Sequence, residues 1–169
     1  MKKKRKSKNQ PTVKHLHIVC RHVGEMEKAG ITENHAIRIL ELLTDVYAKL
    51  MNGGSASPHS VNQVSLRSIA ALHWLRNNPK IKPGGYLVVE HGTPRRGFAR
   101  KVLNLYRRKK LNEKTMDILV KKHWKLAVIT VNENNRLNKI ARSSIFKTPE
   151  ARWQAARIRF PKLNKKQNG

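Results

Sequence analysis

Glu90 and His91 stand side by side just ahead of the most basic stretch of a 169-residue chain. A carboxylate binds a hard divalent cation, and an imidazole takes a proton from water near neutral pH. Arg95, Arg96, Arg100 and Lys101 follow within ten residues, the density of cation that holds phosphates. Further on, Asn132-Glu133-Asn134-Asn135-Arg136-Leu137-Asn138 places Asn134 and Asn138 four apart, on one face of a helix. An amide oxygen there is a candidate second metal ligand. Arg107, Arg108, Arg136 and Lys139 extend the basic set. The same pair has a plainer use, with Glu90 in a salt bridge to a nearby Arg and His91 hydrogen-bonded to backbone at a strand end.

Positioning these residues requires rigid elements. Pro83-Gly84-Gly85 signals a turn, and Tyr86-Leu87-Val88-Val89 reads as a short buried strand that delivers Glu90 and His91. Pro94 opens a helix to about residue 110, with Phe98, Val102, Leu103 and Leu105 or Tyr106 facing inward. A helix over 113–123 follows, then a β-branched strand over 126–131. Asn132-Glu133 leads into a short helix over 134–142. A last helix spans 149–158, with Trp153 turned inward, and the chain frays after Pro161.

Ahead of the pair the text is helical. Residues 13–29 carry Leu16, Val19, Cys20 and Val23 on one side, with Gly30 as C-cap. Thr32 caps a second helix, amphipathic through Ile37, Leu40, Leu43, Val46 and Tyr47 and ending near residue 52. A polar loop covers 55–62. A third helix over 63–77 is expected to bury Leu66, Ile69, Ala70, Leu72 or His73, and Trp74, and Pro79 stops it. The class is therefore α+β and mostly helical. A basic arm (1–12) precedes a helical scaffold (13–80), a basic ββα-like region of two strands plus helices (81–160) and a flexible tail (161–169).

Val89-Glu90-His91-Gly92-Thr93-Pro94 followed by Ile129-Thr130-Val131-Asn132-Glu133-Asn134 resembles the His-Asn-His, or ββα-metal, endonucleases. The likeness covers about residues 86–140. It implies His91 as general base, Glu90 and Asn134 as ligands of a single Mg²⁺, Asn138 as a substitute for Asn134, and Asn104 as the nearest counterpart of the middle Asn. The segment joining the two halves is longer than in that family, and the Cys pairs of many members are absent.

Charge points to the partner. The chain has 37 Lys+Arg against 10 Asp+Glu, a net +27. Solubility needs only a magnitude of about 2–8 in a small domain, so the surplus points to a polyanion. Residues 13–90 hold nine cations and six acids, whereas residues 91–169 hold 22 and four. No acid lies between His91 and Glu113, while eight Lys/Arg do. DNA or RNA is the expected partner, met by the 91–142 region.

The remaining signals narrow the field. Cys20 is the single cysteine, so no disulfide forms within the chain, which suits a cytoplasmic setting. No apolar run follows the basic N-terminus, and none is long enough to span a membrane. The oligomeric state is not written in the sequence. His15, His17 and His22 read as ordinary helix histidines. His73 reads as core or interface, and His123 as a cation at a helix C-terminus. The aromatics read as core and not as a base-stacking platform. Two functions stay open, a Mg²⁺-dependent endonuclease and a non-catalytic DNA- or RNA-binding protein.

Overall fold

A computed structural model describes residues 12–51, 61, 64–142 and 146–161. Most of the basic arm, the polar loop and the tail lie outside them. The mostly helical α+β class holds, with seven helices and one two-stranded sheet among the described residues.

The first core is helical. α1 (Val13–Lys28) starts at Thr12, whose hydroxyl accepts from the His15 amide while the His15 ring accepts from the Thr12 amide. This reciprocal cap satisfies two otherwise orphaned donors and gives His15 a structural role. α1 ends with Gly30 at φ 115°, a left-handed position. α2 (Glu33–Met51), α4 (Arg95–Arg107) and α5 (Glu113–His123) pack around it. Leu16, Cys20, Ile37, Leu40, Phe98, Val102, Leu103 and Met116 form their common core. Full burial of one such side chain contributes about 1.5–3 kcal/mol. The scaffold helices α1 and α2 thus share a core with α4 and α5 from the basic half.

The second part is built on the sheet. β1 (Leu87–His91) runs antiparallel to β2 (Leu126–Thr130), with Leu87 opposite Thr130 and His91 opposite Leu126. Strand side chains alternate between faces. Leu87, Leu126 and Val128 therefore pack with Val64, Ala71 and Trp74 on one face. Val88, Ala127 and Ile129 pack on the other face against Leu137 and Ala141 of α6 (Val131–Ala141) and Trp153 of α7 (Pro149–Ala155).

The expected helix over 63–77 is shorter. α3 is Ile69–Asn77, opened by Ser68, whose hydroxyl accepts from the Ala71 amide. Residues just before it are extended against β2, with Arg67 bridged to Val128 and the Leu66 carbonyl accepting from the Val128 amide. Val64 packs on one face of the sheet and Leu66 on the other, so they do not form one stripe of a helix. α6 begins earlier than expected, at Val131, because Thr130 and Glu133 form a reciprocal cap.

Candidate functional site

Glu90 and His91 are adjacent in sequence and diverge in space. Glu90 shares the face of Val88, towards α6 and α7, and His91 takes the other. Glu90 Oε1 accepts from Arg152 Nη1 at 2.7 Å, and Oε2 accepts from Trp153 Nε1 at 3.3 Å. Arg152, itself buried, also donates to the carbonyls of His91 and Ala141. One guanidinium thus joins β1, α6 and α7, and the carboxylate neutralises it.

His91 faces the helical part. Its Nε2 lies 2.9 Å from Asp45 Oδ1 on α2, close enough for an ion pair though not aligned as a hydrogen bond. Arg95 approaches the other Asp45 oxygen at 3.5 Å. Sequence reading did not single out Asp45, which lies 46 residues from His91 and carries no local signal.

Asn134 and Asn138 do not join either group. Arg152 binds the Ala141 carbonyl at the C-terminal end of α6. Asn134 is in its first turn, about 10 Å back along the axis at 1.5 Å per residue. Asn138 is exposed. The donor set implied for Mg²⁺ does not fit an ion. Glu90 is already committed on both oxygens, His91 is on the opposite face, Asn134 is at the far end of α6 and Asn138 is exposed. No cluster of three His, Cys, Asp or Glu able to hold a metal occurs among the described residues.

The basic residues divide into two sets. Arg95 meets Asp45, Arg96 donates to Asn34, Arg107 bridges Glu27 and Glu33, and Arg136 donates to the Ala156 carbonyl. Among the described residues, Arg100, Lys101, Arg108 and Lys139 close no ion pair. Arg100, Lys101 and Arg108 border one shallow concavity of about 440 Å³ with Asn104. These four fall within about 100° of the helix circumference. Burial of Phe98, Ala99, Val102 and Leu103 on the opposite side of α4 turns them outward.

His123 departs from expectation. It is buried, and desolvation, with Lys101 and Lys122 nearby, lowers its pKa from 6.5 to about 4. It is a neutral ring beside the Thr93 hydroxyl, 3.3 Å away, and not a helix-end cation. Cys20 is equally inert, since burial pushes its thiol up to about 12.

One hollow lies where no site was expected. A cavity of about 860 Å³ opens between α3, the start of β1, the start of α6 and the chain after α7. Ile69, Ala70, His73 and Trp74, expected in a core, form its α3 wall. Ile69 is 45% exposed, and Ala70 and His73 are exposed beside it. Tyr86 stacks on Trp74 with centroids 5.1 Å apart and is 54% exposed. The reading of the aromatics as core therefore fails at Tyr86, whereas Trp74 packs half-buried against the sheet. Arg136, Arg157 and Arg159 line the same cavity.

Compared with protein families, curated proteins and solved structures, the chain matches none of them. Among the described residues no helix is long and apolar enough to cross a membrane.

Proposed function

We propose that this protein binds nucleic acid, DNA or RNA, through the outer face of α4. The observation that carries the proposal is the set Arg100, Lys101 and Arg108, turned outward around one concavity and unpaired among the described residues. A cation already closed on a carboxylate gains little from a phosphate, whereas an unpaired one displaces the counterions of the polyanion. Asn104 adds a neutral donor on the same face. The test is binding of labelled DNA and RNA at increasing salt. Affinity should fall linearly on a log–log plot, with a slope near −0.9 per phosphate neutralised on duplex DNA. A flat salt dependence, or no binding to either polymer, refutes it.

One contact supports a second reading, phosphodiester hydrolysis with His91 as general base. A carboxylate 2.9 Å from an imidazole stabilises the imidazolium that proton abstraction creates. Plasmid and RNA incubated with the protein, with Mg²⁺ or EDTA, should then be cut by the wild type and spared by His91→Ala. Equal results from both proteins dismiss hydrolysis and leave binding intact.

A further inference from the structure

The cavity beside α3 combines features that the α4 face lacks. Tyr86 has one ring face against Trp74, and its exposure leaves the other open. Three arginines share the hollow with it, against the single carboxylate of Glu133. Its Oε2 accepts from the Ser68 hydroxyl at 2.6 Å and from the Thr130 amide at 2.9 Å, and the side chain is buried. The volume lies within the ~300–1,000 Å³ range of small-ligand pockets.

The walls are tied to one another. Ile69 N donates to Arg159 O, which fixes the C-terminal segment on α3. Val131 N donates to Tyr86 O, which fixes α6 on the start of β1. Arg136 donates to Ala156 O, which fixes α6 on the end of α7. A site held this way loses little freedom on binding. Arg157 adds a local cost, since it holds φ 55°, a left-handed conformation in which glycine is ordinarily favoured.

An open aromatic face next to guanidinium groups matches a flat base joined to phosphate. Planar aromatics stack with every base, and guanidinium forks bind phosphate in bidentate geometry. We infer that this cavity holds an unpaired nucleotide of a nucleic-acid strand, its base on Tyr86 and its flanking phosphates on Arg157 and Arg159. The inference rests on the nucleic-acid reading above and adds a preference for unpaired over fully paired strands.

The test is fluorescence anisotropy with a labelled single strand and a blunt duplex of equal length, as DNA and as RNA, at one salt concentration. The wild type should bind a single strand more tightly than the duplex. Tyr86→Ala should weaken single-strand binding roughly tenfold or more while leaving duplex binding unchanged, and Tyr86→Phe should retain it. Arg157→Gly guards against misfolding, because it relieves the left-handed residue. Its melting temperature should stay level or rise while single-strand affinity falls several-fold. Equal affinity for both forms, or an unaltered Tyr86→Ala, overturns the inference and leaves the α4 proposal standing. Displacement of the strand by micromolar nucleoside monophosphate also overturns it, by assigning the cavity to a free nucleotide. Failure of both polymers to bind overturns the α4 proposal and this inference together.

Discussion

Glu90 and Arg152 meet at 2.7 Å in the packed space between the sheet and α7, 62 residues apart in sequence. Arg152 is the more enclosed partner, with a side chain only 3% exposed against 11% for Glu90. Removing the carboxylate would leave a buried guanidinium with carbonyl partners alone. Loss of one member of such a pair costs about 3–5 kcal/mol, much more than an exposed pair would. Glu90→Ala should lose stability of that order in urea unfolding. Glu90→Leu combined with Arg152→Met should recover a good part of it, since apolar groups of similar size carry no stranded charge. Added Mg²⁺ should leave the wild-type melting temperature unchanged. A Glu90→Ala protein as stable as the wild type, or a Mg²⁺-dependent rise, contradicts the structural role.

His123 makes folding sensitive to mild acid. Its folded pKa is lowered to about 4, below the 6.5 of an exposed imidazole. Above about pH 6.5 the ring is neutral in both states and contributes no pH dependence. As the pH falls from 6.5 towards 4, the unfolded chain takes up a proton that the folded protein refuses, so stability drops through that window. The loss attributable to this ring is roughly 1–3 kcal/mol. His123→Gln keeps a polar group near Thr93 and should flatten the stability curve between pH 6.5 and 4. A curve unchanged by that substitution contradicts the assignment.

Two glycines mark places where helices and loops approach too closely for a side chain. A Cβ on Gly24 would stand 2.4 Å from the Tyr106 ring of α4, and one on Gly92 would stand 2.4 Å from Pro149 Cβ. Neither contact is relieved by moving the tip of a flexible chain. Gly24→Ala and Gly92→Ala should each cost about 1–3 kcal/mol, the range of overpacked sites. Gly30→Ala is the control for backbone conformation, because its Cβ would meet no atom within 4 Å while its φ is 115°. Denaturant midpoints of the three variants separate steric cost from conformational cost.

Features set by neighbouring residues were legible in the sequence, and features set by distant ones were not. Pro94 and the spacing of Phe98, Val102 and Leu103 located α4 and its buried side, and with it the outward Arg100 and Lys101. The strand carrying Glu90 and His91 was legible from its apolar run. Alternation across that strand separates their side chains, a rule available from sequence but at odds with a shared metal site. Asp45 lies 46 residues from His91 and Arg152 lies 62 from Glu90, and spacing says nothing about either. The apolar stripe of α3 was misplaced for a related reason. Periodicity shows that Ile69, His73 and Trp74 share a side, but whether another element covers that side depends on the tertiary fold.

The division of arginines into paired and unpaired sets gives separate consequences for α4. Arg107 lies between Glu27 of α1 and Glu33 of α2, at 2.6 and 2.8 Å, and both contacts raise its pKa. Arg107→Ala should lower the melting temperature slightly and leave the salt dependence of nucleic-acid binding as it was, because that cation is already neutralised. Arg100→Ala, Lys101→Ala and Arg108→Ala should behave the other way. Each would remove a proposed phosphate contact without breaking a described ion pair, so each should reduce the slope of log affinity against log salt by about one. Their melting temperatures should stay near the wild type. Lys101→Ala has one further effect, since Lys101 helps to hold the His123 pKa down. That variant should therefore show a weaker loss of stability in mild acid than Arg100→Ala. If Arg107→Ala changed the salt slope as much as Arg100→Ala does, ion pairing within the protein would not be what sorts these residues, and the α4 face would lose its claim to the phosphates.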